Sequence, residues 1–453
     1  MFVLVDIAKD PDSKDKCYLN KKIKENFSID INEEIVVILG QKRINAKSCI
    51  YTDIANDNIV WFSKNLVEEL NLPEKMILNI SVIGNNTIKL GPVIGIFVNP
   101  RYITKLNSPY PPESAIQMKR ANIIGKGFIY YFTCENIYWL RENVKAWYFS
   151  SKEKKWKNGY VPLPDVIYDR GVNFFSDEKI IVNHIREQFL STNTLAKINS
   201  VEYLDKLGIY QKINKYTHLR KYLPKIVKYS FTEDIKNFLD EFRTVHVERV
   251  LENKKSETLT ITLEEEGLEI YYYFKNNVCT KRFASIESIA YFLEMFFKDE
   301  VLILQGGIDR YTYKGMPIDL RILLQKDHAG NWLAVYNHLK IIKNKYTENK
   351  VYVYNFKDVA PYIFEIKEAD IIFLDEKIRK VAISIAEGIE KEFGNLGELA
   401  VDLMLDKKLN VWFIDANLKP AKNPIRGVES TEDFSPQYLL TILYSKYISK
   451  FTL

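Results

Sequence analysis

Three oxygen-bearing side chains in the stretch Glu398 to Pro420 are spaced to suit a hard cation: Asp402, Asp415 and Asn417. The stretch reads as two β-strands joined by a polar turn. Val401 to Leu405 is apolar apart from Asp402, and Val411 to Leu418 is apolar apart from Asp415 and Asn417, with Asp406-Lys407-Lys408-Leu409-Asn410 between them. Side chains alternate along a strand, so Asp415 and Asn417 share a face. A four-residue loop, Lys407 to Asn410, pairs Asp406 with Val411 and sets Asp402 directly opposite Asp415, with Asn417 on the diagonal. Like charges directly opposite one another destabilise a sheet, and a divalent cation such as Mg²⁺ would remove that repulsion. Two readings stand at this point: a metal site, or ordinary surface carboxylates at strand ends.

Further upstream, Pro317 to Lys326 is an apolar strand interrupted by Asp319 and Arg321, which share one face. A charged pair inside an apolar strand is costly unless it is paired or faces a cleft; a solvated Asp-Arg ladder is the alternative. Val301 to Ile308 is a strand that runs into Gly306-Gly307, a place for a hinge. Lys206 falls near the end of an expected helix, Val201 to Leu207, with Gly208 as its stop. A cation suits that end of a helix whatever its function. Asp169-Arg170 follows the apolar Val166 to Tyr168 and reads as an ion pair or a solvated turn.

These residues need a scaffold, and the composition supplies one. The chain has 453 residues, 47% hydrophobic and 27% charged, which is a globular composition. A net charge of +5 over this length does not point to nucleic acid. The four cysteines are scattered without CxxC spacing, which fits a reducing compartment and neither a zinc site nor a disulfide framework. No apolar run approaches the length of a membrane span, and Asp6 interrupts the N-terminus too early for a secretion signal. A cytoplasmic protein is expected.

Residues 1–90 read as a small β-rich module with strands at Ile35 to Leu39, Ile59 to Phe62 and Ile77 to Ile83. Residues 91–190 read as an α/β unit: a buried strand from Val93, a helix over Glu113 to Gly125, and a second strand at Phe128 to Phe132. No GxGxxG dinucleotide fingerprint is present. Beyond residue 191, helix, strand, helix and strand patterns alternate. They include a helix over Glu233 to Phe242, one capped by Ser285, a polar loop at Asn344 to Lys350, a long helix from Asp375 to Phe393, and a terminal amphipathic helix from Ser435 to Ser449.

Taken in order, seven segments resemble the YheC/YheD family of endospore coat-associated ATP-grasp proteins. They are Gly91 to Ile96, Pro162 to Arg170, Asn199 with Asp205-Lys206, Leu304 to Ile308, Pro317 to Lys326 with Asn331-Trp332, Gly397 to Asp402, and Trp412 to Pro420. The resemblance implies a multidomain α/β and α+β chain. An ATP-grasp fold of two α+β lobes (about 195–300 and 301–453) follows the β-rich module and a pre-ATP-grasp-like α/β domain. It implies Mg²⁺ ligands at Asp402, Asp415 and Asn417, a phosphate-facing catalytic Arg321, an adenine-lining strand from Gln305 to Ile308, and a first nucleotide lysine at Lys206. ATP and Mg²⁺ are the implied cofactors. The implied partners are a nucleotide, a small carboxylate substrate and spore coat proteins.

The chain departs from the family's pattern in the small lobe. Val245 to Thr260 lacks the family's glycine-rich loop, and Glu248, with Arg249 beside it, stands where a second lysine is expected. Phosphate-cradling loops need glycine because backbone N–H groups must approach the anion closely. His338-Leu339-Lys340 and Asn344 to Lys350 replace a later arginine strand and a glycine loop, and Asp415 replaces the usual Glu. Two functions are therefore expected: an ATP-dependent carboxylate–amine or carboxylate–thiol ligase, or a degenerate member kept for structure or interaction.

Overall fold

A computed structural model of the chain describes residues 1–8, 14–31, 33–50, 58–84, 86–199, 205–250, 259–265, 267–274, 277–298, 300–344, 347–422 and 435–451. The sequence expectations at Val201 to Leu204, at Leu251 to Thr258, at Lys345-Tyr346 and at Asn85 lie outside these residues.

The first ninety residues close into a seven-stranded barrel. Side chains alternate along its strands: Val3, Val5, Cys17, Leu19, Ile35, Val37, Val60, Phe62, Leu78 and Leu90 point inward and are buried, while Ile38 and Asn79 are covered as well. Three of the seven strands, Lys16–Leu19, Lys42–Ile50 and Thr87–Gly91, carry no strong apolar run in sequence. Lys42–Ile50 places Arg43, Asn45 and Lys47 outward and turns Ile44, Ala46 and Ser48 toward the interior. The barrel shares one hydrophobic core with the next sheet through Val93, Phe97, Tyr130 and Phe132. Gly40 makes the close approach: with φ of +59° and a hypothetical Cβ only 2.0 Å from the Leu163 carbonyl, no side chain fits there.

The second sheet is α/β. Val93–Phe97 is buried at every position and pairs in parallel with Phe128–Phe132 and Val166–Asp169. Two helices connect the first pair, Pro100–Leu106 and Glu113–Gly125; the first of these carries no strong sequence signal apart from Asn99, whose side chain caps it.

Two antiparallel sheets make the two lobes. The small one has six strands, Ile226–Lys228, Leu302–Gly306, Thr244–Arg249, Leu259–Glu264, Gly267–Phe274 and Asn277–Phe283, with Thr232–Phe242 and Ile286–Phe297 covering one face. The large one is built on Met316–Lys326, flanked by Trp332–Asn344 and Glu398–Leu405, with Thr347–Asn355 and Val411–Asn417 outside them. Asn344 and Thr347 to Lys350 are strand where a polar loop is expected over Asn344 to Lys350; Lys345 and Tyr346 lie outside the described residues. The long helix is longer than expected, Glu368–Phe393, and a separate helix Phe356–Phe364 precedes it. Ile318, Leu320, Ile322 and Leu324 face these helices in the large-lobe core. By alternation, Asp319, Arg321, Leu323 and Gln325 face the other way. Among the described residues, no helix is long and apolar enough to cross a membrane.

A buried polar network ties the second sheet to the large lobe. The Glu398 carboxylate accepts from the Tyr168 hydroxyl and from Arg170, each at 2.7 Å, and pairs with Lys422 at 2.7 Å. Asp169 pairs with Arg186 and Lys419, each at 2.8 Å. The Asp169-Arg170 dipeptide is thus neither an internal ion pair nor a solvated turn: each residue finds a distant partner inside the protein. Burial lowers the Lys422 ammonium to about 8, although Glu398 opposes the shift. Asn199, at φ +56°, is the central stitch. Its amide donates to the carbonyls of Glu398 and Leu418, and its oxygen accepts from Gly397 N–H at 2.9 Å and Glu398 N–H at 3.4 Å. Asn199→Ala leaves those buried backbone groups unpaired, at an expected cost of ~2 kcal/mol or more. The measurement is the thermal unfolding midpoint, which should fall by several degrees; an unchanged midpoint would show the stitch to be dispensable.

Candidate functional site

The site is a row of side chains lying across the large-lobe sheet. Register places His338, Arg321, Asp402 and Asp415 directly opposite one another on four successive strands. One step along, on the same face, lie Lys340, Asp319, Met404 and Trp412; one step the other way lies Asn417, opposite Ala400. The expected Asp402–Asp415 opposition is present, but by a different route. The turn is one residue longer than expected, so that Leu405 faces Val411 and Leu403 faces Phe413. A bulge at Ile414 then restores the register. The Tyr210 hydroxyl donates to the Phe413 carbonyl at 2.6 Å, and Phe413 N–H donates to the Tyr222 carbonyl at 2.7 Å, so the bulge keeps its backbone partners. The longer turn is held by Asp406, which accepts from the N–H groups of Lys408 and Asn410 at 2.9 Å.

Cations crowd the Asp402 carboxylate. Arg321 binds it through two nitrogens, at 2.8 and 2.5 Å, and Lys340 reaches it from the adjoining row at 3.0 Å. Burial pushes the Asp402 carboxyl up, yet Arg321 and Lys340 outweigh it and hold it below the usual range. Burial raises Asp319, which Arg310 offsets only weakly at 3.5 Å. The Asp415 carboxylate accepts from Ala416 N–H at 2.8 Å, and the Asn417 side-chain oxygen accepts from Lys419 N–H at 2.9 Å. Among the described residues, no three His, Cys, Asp or Glu side chains come together. The candidate set is therefore two carboxylates and one amide, all oxygen donors, which suits a hard divalent ion.

Lys206 is not near a helix C-terminus. It is the first residue of Lys206–Ile213, and Asp205 caps the helix by accepting from Leu207 and Gly208 N–H. Gly208 lies inside the first turn, where a Cβ would approach the Asp205 carboxylate to 2.9 Å. A helix N-terminus disfavours a cation, so the lysine owes its place to something else. Its ammonium is 2.6 Å from the Glu248 carboxylate, and both are largely shielded from solvent. Glu248 turns into the space between the lobes with His246 on the same face, while Arg249 turns away and lies over the Phe297 ring at 5.5 Å. Burial raises the Glu248 carboxyl, but Lys206 outweighs it and the net shift is downward. Arg310 acts on Glu248, His246 and Asp319 alike, which joins the two halves of the site electrostatically.

Gln305 is buried beside His246, and its side-chain oxygen has no hydrogen-bond partner. Gly306, Gly307 and Ile308 line a cavity of about 520 Å³ with Leu223, Asp406 and Trp412. Gln305, Arg321, Asp402, Asp415 and Asn417 are not part of its wall. The structure thus brings Arg321, Asp402, Asp415 and Asn417 onto one patch and sets Lys206 against Glu248, while Ile308 opens on a separate cavity. Sequence reasoning missed Lys340 as a partner of Asp402: a bulge at Val335 shifts the return strand by one residue, so counting from the hairpin at Asp327 to Asn331 gives the wrong face for Lys340. It also missed Arg310, for which no local signal exists.

A family model described as YheC/D-like ATP-grasp matches residues 194–448. The chain belongs to that family. The endospore coat-associated protein YheD of Bacillus subtilis (strain 168) is 23% identical over 376 residues, 81% of this chain and 81% of that protein. The endospore coat-associated protein YheC of the same organism is 23% identical over 349 residues, 74% of this chain and 92% of that one. Among solved structures, ATP-grasp ligase PsnB complexed with a minimal precursor matches with a TM-score of 0.45 at 10% identity, covering 78% of this chain and 99% of that one. The two-lobed ATP-grasp fold behind a barrel and an α/β unit is accordingly the architecture of this family member.

Two histidines of the site carry a pH signature. Burial and Arg310 lower His246 to about 4; burial, Lys340 and Arg321 lower His338 to about 4. The unfolded chain binds those protons near pH 6.5, so between pH 6.5 and 4 it holds more protons than the folded one, and stability falls as pH falls. Potentiometric measurement of unfolding near pH 5 should find an uptake of roughly two protons from this pair, reduced by about one in His338→Asn. A slope unchanged by that substitution would contradict the assignment.

Proposed function

We propose that this ATP-grasp protein binds a magnesium nucleotide between its lobes and uses it to join a carboxylate to an amine or thiol. The observation that carries the reading is Asp402 directly opposite Asp415, with Asn417 beside them and Arg321 and Lys340 on the same face. Asp402, Asp415 and Asn417 would hold Mg²⁺. A bound divalent ion there would offset negative charge on a transferring phosphoryl group. Arg321 and Lys340 supply fixed positive charge at the same place, at no cost of reorganisation during reaction. The unpartnered Gln305 oxygen is an acceptor suited to an exocyclic amine such as that of adenine. In the reaction, a carboxylate oxygen attacks the terminal phosphorus of ATP, ADP leaves, and the nucleophile then displaces phosphate from the acyl carbon. Association with the spore coat is carried over from the names of the relatives and belongs to the same proposal.

A second reading, a member without catalysis that serves in structure or interaction, is favoured by one observation. Lys206, the residue matched to a nucleotide lysine, is held by Glu248.

Calorimetry separates the readings from a chain that has abandoned nucleotide altogether. Wild type titrated with ATP should give heat that depends on Mg²⁺, and the Asp415→Ala, Asn417→Ala double variant should bind about ten-fold more weakly or not at all. Silence from wild type up to millimolar nucleotide would end the ligase proposal.

A further inference from the structure

The Lys206–Glu248 pair spans two bodies of the fold. Lys206 opens a helix whose Ile209, Tyr210 and Ile213 belong to the large-lobe core, and the Tyr210 hydroxyl donates to a carbonyl of the large-lobe sheet. Glu248 sits on the Thr244–Arg249 strand, whose Val245 and Val247 belong to the small-lobe core. The 2.6 Å contact is thus a charged tie across the space between the lobes. The alternation of its strand aims Glu248 at that space, since it lies opposite Ile303 and one step from the His246–Gln305 pair.

We infer that Glu248 determines which ligands the inter-lobe cleft accepts, by standing as a resident anion on the lysine that a phosphate group would need. The inference rests on the nucleotide reading above. A phosphate-bearing ligand gains Lys206 only by expelling a carboxylate that is already hydrogen-bonded to it, and then meets that carboxylate as a like charge. Breaking one side of a shielded ion pair is far more costly than leaving it intact or removing both partners. A neutral ligand such as a nucleoside makes no demand on Lys206 and carries no such penalty. The cleft therefore discriminates against phosphate charge at this one position, while the cations around Asp402 remain fixed by their own partner.

The test uses the full chain, with ATP plus Mg²⁺ and adenosine as the two probes. Glu248→Gln keeps the shape and removes the charge; it should raise ATP affinity about ten-fold or more and move adenosine affinity by less than about two-fold. The double variant Lys206→Met, Glu248→Met removes the pair without stranding a charge, so folding is expected to survive. Because Lys206 is already occupied in wild type, this variant should bind ATP within about three-fold of wild type. Loosening of the lobes alone would raise ATP affinity in both variants, which would overturn the inference. So would weaker ATP binding by Glu248→Gln, or a loss of ten-fold or more in the double variant. If wild type binds ATP and Glu248→Gln binds it equally well, this inference falls and the nucleotide reading stands. If no variant binds either probe, both fall.

Discussion

Two carboxylates directly opposite on neighbouring antiparallel strands repel, and the large lobe is arranged around that repulsion. Asp402 and Asp415 are forced into opposition by a register that the bulge at Ile414 sets and Tyr210 stabilises. The helix-covered face of the same sheet offers no relief, because it is filled by Leu320, Ile322, Val401 and Leu403. Relief comes from the same face: Arg321 in the same row and Lys340 in the next. Asp415 remains at the end of the row, where Asn417 adds a further oxygen. Placing the pair at the outer edge of a sheet rather than in its middle keeps the desolvation cost bounded.

Parity explains which parts of this site were legible in the sequence. The facing of Asp402, Asp415, Asn417, Asp319 and Arg321 depends only on counting by two along strands with clear apolar flanks, and it was read correctly. The turn length was misread by one residue. The outcome survived because the bulge shifted the register back, and nothing in the local composition distinguishes that bulge from a straight strand. Lys206 was misplaced for a related reason. Gly208 reads as a helix stop, but here it is small enough to let the Asp205 carboxylate cap the first turn, so the helix runs the other way from where the glycine suggested. The barrel was recognisable as β-rich and no more, because its strands are short and half of each faces solvent.

What was least legible is what holds the large lobe to the rest. Glu398 reads as the polar start of an apolar strand, yet it is buried, and its carboxylate is held by Tyr168, 230 residues earlier, together with Arg170 and Lys422. Asn199 plays the same part through backbone groups. Such partners are set by tertiary packing and leave no periodic trace. They also explain why Asp169-Arg170, Asn199 and Glu398 sit within the segments that resemble the family. These residues do not line the charged row; they fix the strand that carries Asp402 against the α/β unit.

The charge balance of the cleft follows from these placements. Lys206 is paired with Glu248, Arg310 with Asp319, and Arg321 and Lys340 both with Asp402, which lies opposite Asp415. His246 and His338, each lowered to about 4, add no charge at neutral pH. A cleft whose cations already have partners differs from one with an open positive field. It does not draw a polyanion by long-range attraction; it admits one only by exchange of partners at close range. Under the proposed function, a divalent ion brought by the ligand would meet the carboxylates at one end, where Arg321 and Lys340 stay held by Asp402. The Lys206 end has no such arrangement, since the carboxylate that must be displaced there lies on the other lobe. The two ends of the same site thus place different demands on one ligand.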